Sequence, residues 1–140
     1  MELRVKRIHK DAKLPSYGHV GDAGLDLFSV MDCVLKGGEA RAISTGIQVA
    51  VPDGYVGLIW DKSGISLRNI HRLAGVVDSG YRGEVKVVMT NLSTEAFSVE
   101  KGMKIAQMLI QPVAKVKIVD SEDLDETSRG ENGFGSTGKY

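Results

Sequence analysis

Short runs of alternating apolar and polar residues, separated by turn chemistry, dominate this chain. Leu3 and Val5, with Ile8 beyond them, outline a first strand. Ile47, Val49 and Val51 alternate with Gln48 and Ala50, and Pro52-Asp53-Gly54 closes that run. Residues 55–60, 84–89 and 104–110 read as further strands. Residues 113–119 (Val-Ala-Lys-Val-Lys-Ile-Val) alternate almost ideally, with Lys115 and Lys117 outward. Turn signals at Lys36-Gly37-Gly38-Glu39, Pro52-Asp53-Gly54, Asn91-Leu92-Ser93-Thr94 and Glu100-Lys101-Gly102 are spaced like the corners of a sandwich or barrel. Only Ser63 to Asn69 is long enough for a helix, with Ile65 and Leu67 facing inward. There is no strand–helix–strand alternation and no Gly-rich Walker loop, which argues against a doubly wound nucleotide fold. The pattern predicts an all-β fold with one short helix.

Length and charge narrow the function classes. A chain of 140 residues fits one hydrophobic core. Eighteen basic residues balance eighteen acidic ones, so a broad electrostatic grip on DNA or RNA is not expected; a local pocket for a small anion is compatible with that balance. Cys33 is alone, which precludes an internal disulfide, fits a reducing compartment and reads as a small buried hydrophobe. No apolar run approaches the length of a membrane span, and Met1 to Arg7 lack a signal-peptide core. The expected setting is cytoplasmic or otherwise intracellular. The organisation reads as one all-β domain over residues 1–119, an acidic solvated connector over 120–128 and a flap over 129–140.

Candidate chemistry begins at that flap. Residues 129–138 hold four glycines, Arg129, Phe134, Ser136 and Thr137. Gly-rich backbone and hydroxyls suit phosphate oxygens, a guanidinium supplies charge, and a flat ring can cover a base. A generic tail of this composition is disordered; the arginine and the single aromatic favour a mobile arm that orders over a nucleotide. Four internal segments share this vocabulary. Ala23-Gly24-Leu25-Asp26-Leu27 sets a glycine near a carboxylate. Lys62-Ser63-Gly64 opens the helix, where amides, a hydroxyl and an ammonium can meet an anion, although Ser63 as a plain N-cap fits equally. Residues 75–83 (Gly-Val-Val-Asp-Ser-Gly-Tyr-Arg-Gly) read as a hairpin presenting Asp78 and Tyr81, Asp78 alone being compatible with an ordinary turn. Lys104 and Gln107 lie near the start of a strand. Trp60 is expected in the core or at a subunit interface, and His9, His19 and His71 at surface or turn positions without zinc-ligand spacing.

Taken together, these five segments resemble in order and spacing the trimeric dUTP pyrophosphatase (dUTPase) family, the likeness running from Ala23 to Gly138. The resemblance implies a jelly-roll-like fold, a homotrimer with shared active sites, dUTP as substrate and Mg²⁺ as cofactor. Asp78 resembles the family's general base, which activates the water that attacks the α-phosphorus, and Tyr81 the ring that packs on the deoxyribose. Gly75 matches the backbone that reads uracil, and Ser63, Gly64 and Gln107 match phosphate-binding positions. Arg129 matches the tail arginine that reaches the γ-phosphate; Phe134 matches the ring over uracil, with Gly135, Ser136 and Thr137 around it. Asp26 matches the carboxylate that holds the metal through water. Three positions depart from the family pattern. Lys62, preceded by Asp61, stands where arginine preceded by proline is usual. Lys104 replaces a common arginine, and Asn132 replaces a glycine. Lysine keeps charge and loses the bidentate fork; Asp61 is expected to point away from phosphate.

The hairpin motif also resembles dCTP deaminases. That group needs a glutamate ten residues after the hairpin aspartate, and Val88 occupies that position. An aliphatic side chain cannot shuttle a proton. The alternatives are a deaminase, a bifunctional deaminase/dUTPase, or a non-catalytic nucleotide-sensing module.

Overall fold

The computed structural model describes residues 1–134 and residue 136. Among them, one strand-rich body holds β1 (Arg4–Arg7), β2 (Leu25–Phe28), β3 (Cys33–Leu35), β4 (Ala40–Ala50), β5 (Tyr55–Trp60), α1 (Ser63–Ser66), β6 (Ile70–Leu73), β7 (Val76–Val77), β8 (Glu84–Asn91), β9 (Phe97–Val99) and β10 (Lys104–Pro112). Two four-stranded sheets run β1-β4-β8-β6 and β2-β10-β5-β7, and β3 pairs with β9. The strand pairings are antiparallel. This is an all-β, jelly-roll-like fold. All three sheets feed one contiguous core. Ile43 and Met89 come from the first sheet, Leu27 and Met108 from the second, Leu35 and Phe97 from the third. Each such side chain, fully buried, is worth about 1.5–3 kcal/mol over exposure.

Local chemistry explains the turns. Glu39 N–H donates to Lys36 O at 3.0 Å, Tyr55 N–H to Pro52 O at 3.1 Å and Met103 N–H to Glu100 O at 3.0 Å. All four turn signals lie between strands. The strands at 55–60, 84–89 and 104–110 match β5, β8 and β10, the last two extending by two residues. β4 begins at Ala40, seven residues before its recognisable part, because Ala40, Ala42 and Gly46 carry little strand propensity. A register shift between Ser44 and Gln48 surrounds Gly46, whose φ of 68° bends the strand. β2, β3, β6 and β9 are three or four residues long, too short for a periodicity.

Four expectations change. Residues 113–119 form no strand and lie exposed. β10 ends with Pro112 opposite Tyr55 at the start of β5, so the alternating segment runs past its partner. Residues 75–83 are not a hairpin: β7 pairs with β5 and β8 with β4 and β6, in different sheets. Ala74 and Gly75, both left-handed at φ 59° and 117°, turn the chain out of β6 and across to the second sheet. Leu67 points to solvent, while Ile65 packs on the core, since the α-helix closes only one turn. Trp60 is half-exposed, with the Arg72 guanidinium 4.9 Å from its ring centre, and so lies outside this chain's core. No described helix is long and apolar enough to cross a membrane.

Candidate functional site

The crossover from β6 to β8 builds a cleft of about 400 Å³ lined by Ile59, Gly75, Asp78, Tyr81, Glu84 and Lys86, among others. Gly75 is required there. A β-carbon would sit 2.9 Å from Ile59 O, and Gly75 O accepts the Ile59 amide at 2.8 Å. Asp78 is exposed just beyond β7, and Tyr81 N–H donates to Asp78 O at 3.1 Å. The Tyr81 ring lies against Gly83, where a β-carbon would fall 2.3 Å from the phenol oxygen, and its hydroxyl donates to Glu84 O at 3.0 Å. A carboxylate and a flat ring thus line the same cleft. Glu84 and Lys86, which the sequence presents only as strand positions, complete it. Glu84 accepts the Gly46 amide at 2.9 Å and stands 3.7 Å from the Lys86 ammonium. The bulge glycine was their available signal, but its partner lies 38 residues away in sequence.

A second cluster gathers where β2, β10 and the end of β5 meet. Gln107 pairs with Asp26 on β2 and with Trp60 on β5. Its side-chain amide donates to Asp61 O at 2.9 Å. Gly24 leaves space for it, since a β-carbon there would lie 2.3 Å from the Gln107 carbonyl oxygen. Asp26 is 3% exposed. Its Oδ1 pairs with Lys62 Nζ, and its Oδ2 with Lys104 Nζ at 2.6 Å. Burial pushes the Asp26 carboxyl up, but Lys104 and Lys62 outweigh it and hold the group below its usual range. Lys62 is the helix N-cap, without a side-chain capping bond; Ser63 is the first helical residue rather than the cap. Ser63 and Gly64 are exposed at the helix start. Asp61 turns toward β6, accepting the Arg72 amide at 2.7 Å and pairing with His71 Nδ1 at 2.8 Å. Among the described residues no group of three acidic, His or Cys side chains could hold a metal ion.

The fold keeps these two clusters apart. Asp26 is level with Trp60 through Gln107, whereas Val77 pairs with Gly57, so Asp78 lies beyond Gly57. The offset is about 13 Å along the strands and three strand spacings, roughly 14 Å, across the sheet. The described flap residues, 129–134 and 136, join neither cluster. Arg129 Nε donates to Asn132 O at 2.9 Å, Phe134 is fully exposed, and Ser136 N–H donates to Gly133 O at 3.0 Å. Gly135 and Thr137 lie outside the described residues.

Comparison with known proteins adds an independent observation. The dUTPase family model matches residues 10–138. The chain is 50% identical to the deoxyuridine 5'-triphosphate nucleotidohydrolase of Clostridium kluyveri, over 99% of both chains. Its fold is similar to that of the Staphylococcus bacteriophage 80alpha dUTPase solved with dUpNHpp, at a TM-score of 0.92, 31% identity and 99% coverage of each chain. It is also similar to a point mutant of the dUTPase from phage phi11 of S. aureus, described with a structural Mg(II) ion. That match has a TM-score of 0.82 and 26% identity, covering 88% of this chain and 98% of that one.

Proposed function

The chain belongs to the dUTPase family, and on that premise we propose that it hydrolyses dUTP to dUMP and pyrophosphate with Asp78 as general base. The observation that carries this reading is the cleft lined together by Gly75, Asp78 and Tyr81. Uracil lies against the half-buried backbone at Gly75. Tyr81 packs on the deoxyribose, and its bulk leaves no space for a 2′-hydroxyl. Asp78 takes a proton from a water aligned behind the α-phosphorus. The water oxygen forms a bond to that phosphorus as the bond to the bridging α–β oxygen breaks. The proton stays on Asp78, and pyrophosphate leaves with the electron pair. Lys62, Ser63, Gly64 and Gln107 bind phosphate oxygens; Arg129 reaches the γ-phosphate; Phe134, with Gly135, Ser136 and Thr137, closes over the base.

The donor set suits a Mg²⁺ that arrives on the triphosphate. Asp26 is one carboxylate without a surrounding ligand cluster, and Mg²⁺ keeps several waters and binds through one or two carboxylates plus phosphates. When bound, Mg²⁺ neutralises charge that develops on the phosphate oxygens. Asp26 would hold the ion through its waters.

Shared active sites in a homotrimer explain the separation of the clusters. One chain offers the base cleft, a second the Lys62–Gln107 cluster, and a third the flap. Two features support this arrangement: the offset of Asp78 from Asp26, and the alternating segment whose Val116, Ile118 and Val119 are 78%, 91% and 70% exposed. An apolar strand pattern without an edge in its own chain fits a neighbour's surface. The lone Cys33 and a nucleotide substrate fit an intracellular setting.

A nucleotide panel with Mg²⁺ tests the reading. Pyrophosphate should appear from dUTP and not from UTP or dCTP. Ammonia from dCTP would make the protein a deaminase; binding of a dUTP analogue without turnover of dUTP would make it a sensor.

A further inference from the structure

Asp26 is buried, yet both its oxygens are spent on lysines, and those two lysines belong to the cluster read above as the phosphate site. The lysines differ from their anchor in one respect. Side-chain exposure is 30% for Lys62 and 50% for Lys104, against 5% for Asp26, so both cations can swing while the carboxylate cannot. Lysine also suits such motion better than arginine. Its ammonium is a point charge on a flexible stem, without the planar fork that locks a guanidinium onto a carboxylate. Nothing else among the described contacts holds either ammonium, each of which has only its Asp26 bond. The backbone beneath Asp26 is fixed: its amide donates to Ser16 O at 2.8 Å, and β10 flanks it through Gln107. A second carboxylate stands nearby, that of Asp22, which accepts the His19 amide at 2.8 Å and faces the same Gly18 as Asp26.

We propose that Asp26 is a positioning residue that parks Lys62 and Lys104 in the free enzyme and hands both ammonium groups to the triphosphate when it binds. This inference rests on the phosphate-site reading of Lys62. The exchange has an electrostatic consequence. Once the lysines leave, Asp26 is a buried carboxylate without its counter-ions, next to a polyanion, and such an uncompensated charge is strongly unfavourable. A divalent cation with its waters, carried on the triphosphate, restores the balance. Metal and lysines therefore occupy Asp26 in alternation, and the preference for metal-loaded over metal-free triphosphate is set by competition for the lysines as well as by the metal itself.

Metal-free binding isolates the competition. The probe is a non-hydrolysable dUTP imido analogue, titrated calorimetrically in EDTA and, separately, in Mg²⁺. With EDTA, Asp26→Asn should bind the analogue about tenfold or more tighter than wild type, since one opposing charge is removed and two cations are released. In the Lys62→Gln/Lys104→Gln background, Asp26→Asn should bring a clearly smaller gain, that of removing repulsion alone, because the lysines are already absent. Both Asp26→Asn proteins are checked for a cooperative unfolding transition well above the titration temperature. Equal metal-free affinity of Asp26→Asn and wild type overturns the exchange. A gain of the same size without the lysines also overturns it, leaving simple repulsion by Asp26. If wild type binds the analogue in neither buffer, the nucleotide reading fails and the exchange with it; binding in Mg²⁺ with either overturning pattern removes the exchange alone.

Discussion

The sandwich and the C-terminal segment are built on opposite terms. In the sandwich, alternating residues find partners: Val85, Val87 and Met89 of β8 are each about 1% exposed. In the segment after Pro112 the alternation is cleaner, yet residues 113–130 are all exposed. A period of two specifies which side chains share a face; it does not specify what covers that face. The sandwich is finished within one chain. The segment carries the same signal without a surface to spend it on, and its tail bears the arginine and the phenylalanine that a nucleotide would need. The comparison teaches that stability and the proposed function are segregated along this sequence, the buried core lying in the body and the proposed flap in the exposed segment.

The sharpest way to break the comparison removes the base from the body. Asp78→Asn should cut pyrophosphate release by roughly 10²–10⁴-fold while retaining binding of a dUTP analogue; near-normal turnover would take Asp78 out of the base role. Deleting residues 129–140 should lower the rate about 10²-fold or more, by removing a charge that stabilises the transition state, and leave the unfolding midpoint unchanged. A truncated protein with full activity would end the flap reading. Stability should respond in the opposite sense. Leu27→Ala, in the buried core, should cost about 2–5 kcal/mol in denaturant titration. Ile118→Ser should lie within about 0.5 kcal/mol at concentrations where the protein is monomeric and should weaken trimer assembly by analytical ultracentrifugation. An unaffected trimer would separate the alternating segment from the interface.

The smallest effect is a pH dependence. The Asp26 carboxyl is held below its ordinary value by Lys104 and Lys62 against the opposing push of burial. The ion pairs therefore stabilise the folded state fully above the ordinary carboxylate range, near pH 4, and that contribution is lost as pH falls through the depressed value. The stability difference between wild type and Asp26→Asn should be flat from pH 7 to about pH 5 and shrink below about pH 4. A difference that grows on acidification would contradict the double ion pair.

Much of this fold is legible in the sequence alone. Strands with five or more alternating positions, and turns built on Gly or Pro, can be read because their signals are local. Strands of three or four residues cannot, and neither can the N-terminal half of β4, where alanine and glycine dilute the pattern. Residues 75–83 read as a hairpin because two strand-like stretches around a turn at Asp78–Tyr81 look alike whether the chain returns to the same sheet or crosses to another. Site residues with a glycine signature, such as Gly75 and Gly24, are recognisable from spacing. The pairing of Asp26 with both Lys62 and Lys104 is not, since it joins residues 36 and 78 positions apart through tertiary packing. Glu84 and Lys86 are hidden for the same reason.

Isotope position tests the central claim most directly. Turnover of dUTP in ¹⁸O-labelled water, with both products analysed by mass spectrometry, should place the label in dUMP, because the attacked atom is the α-phosphorus. Label in pyrophosphate would mean attack at the β-phosphorus and would contradict the in-line mechanism assigned to the Asp78 cleft.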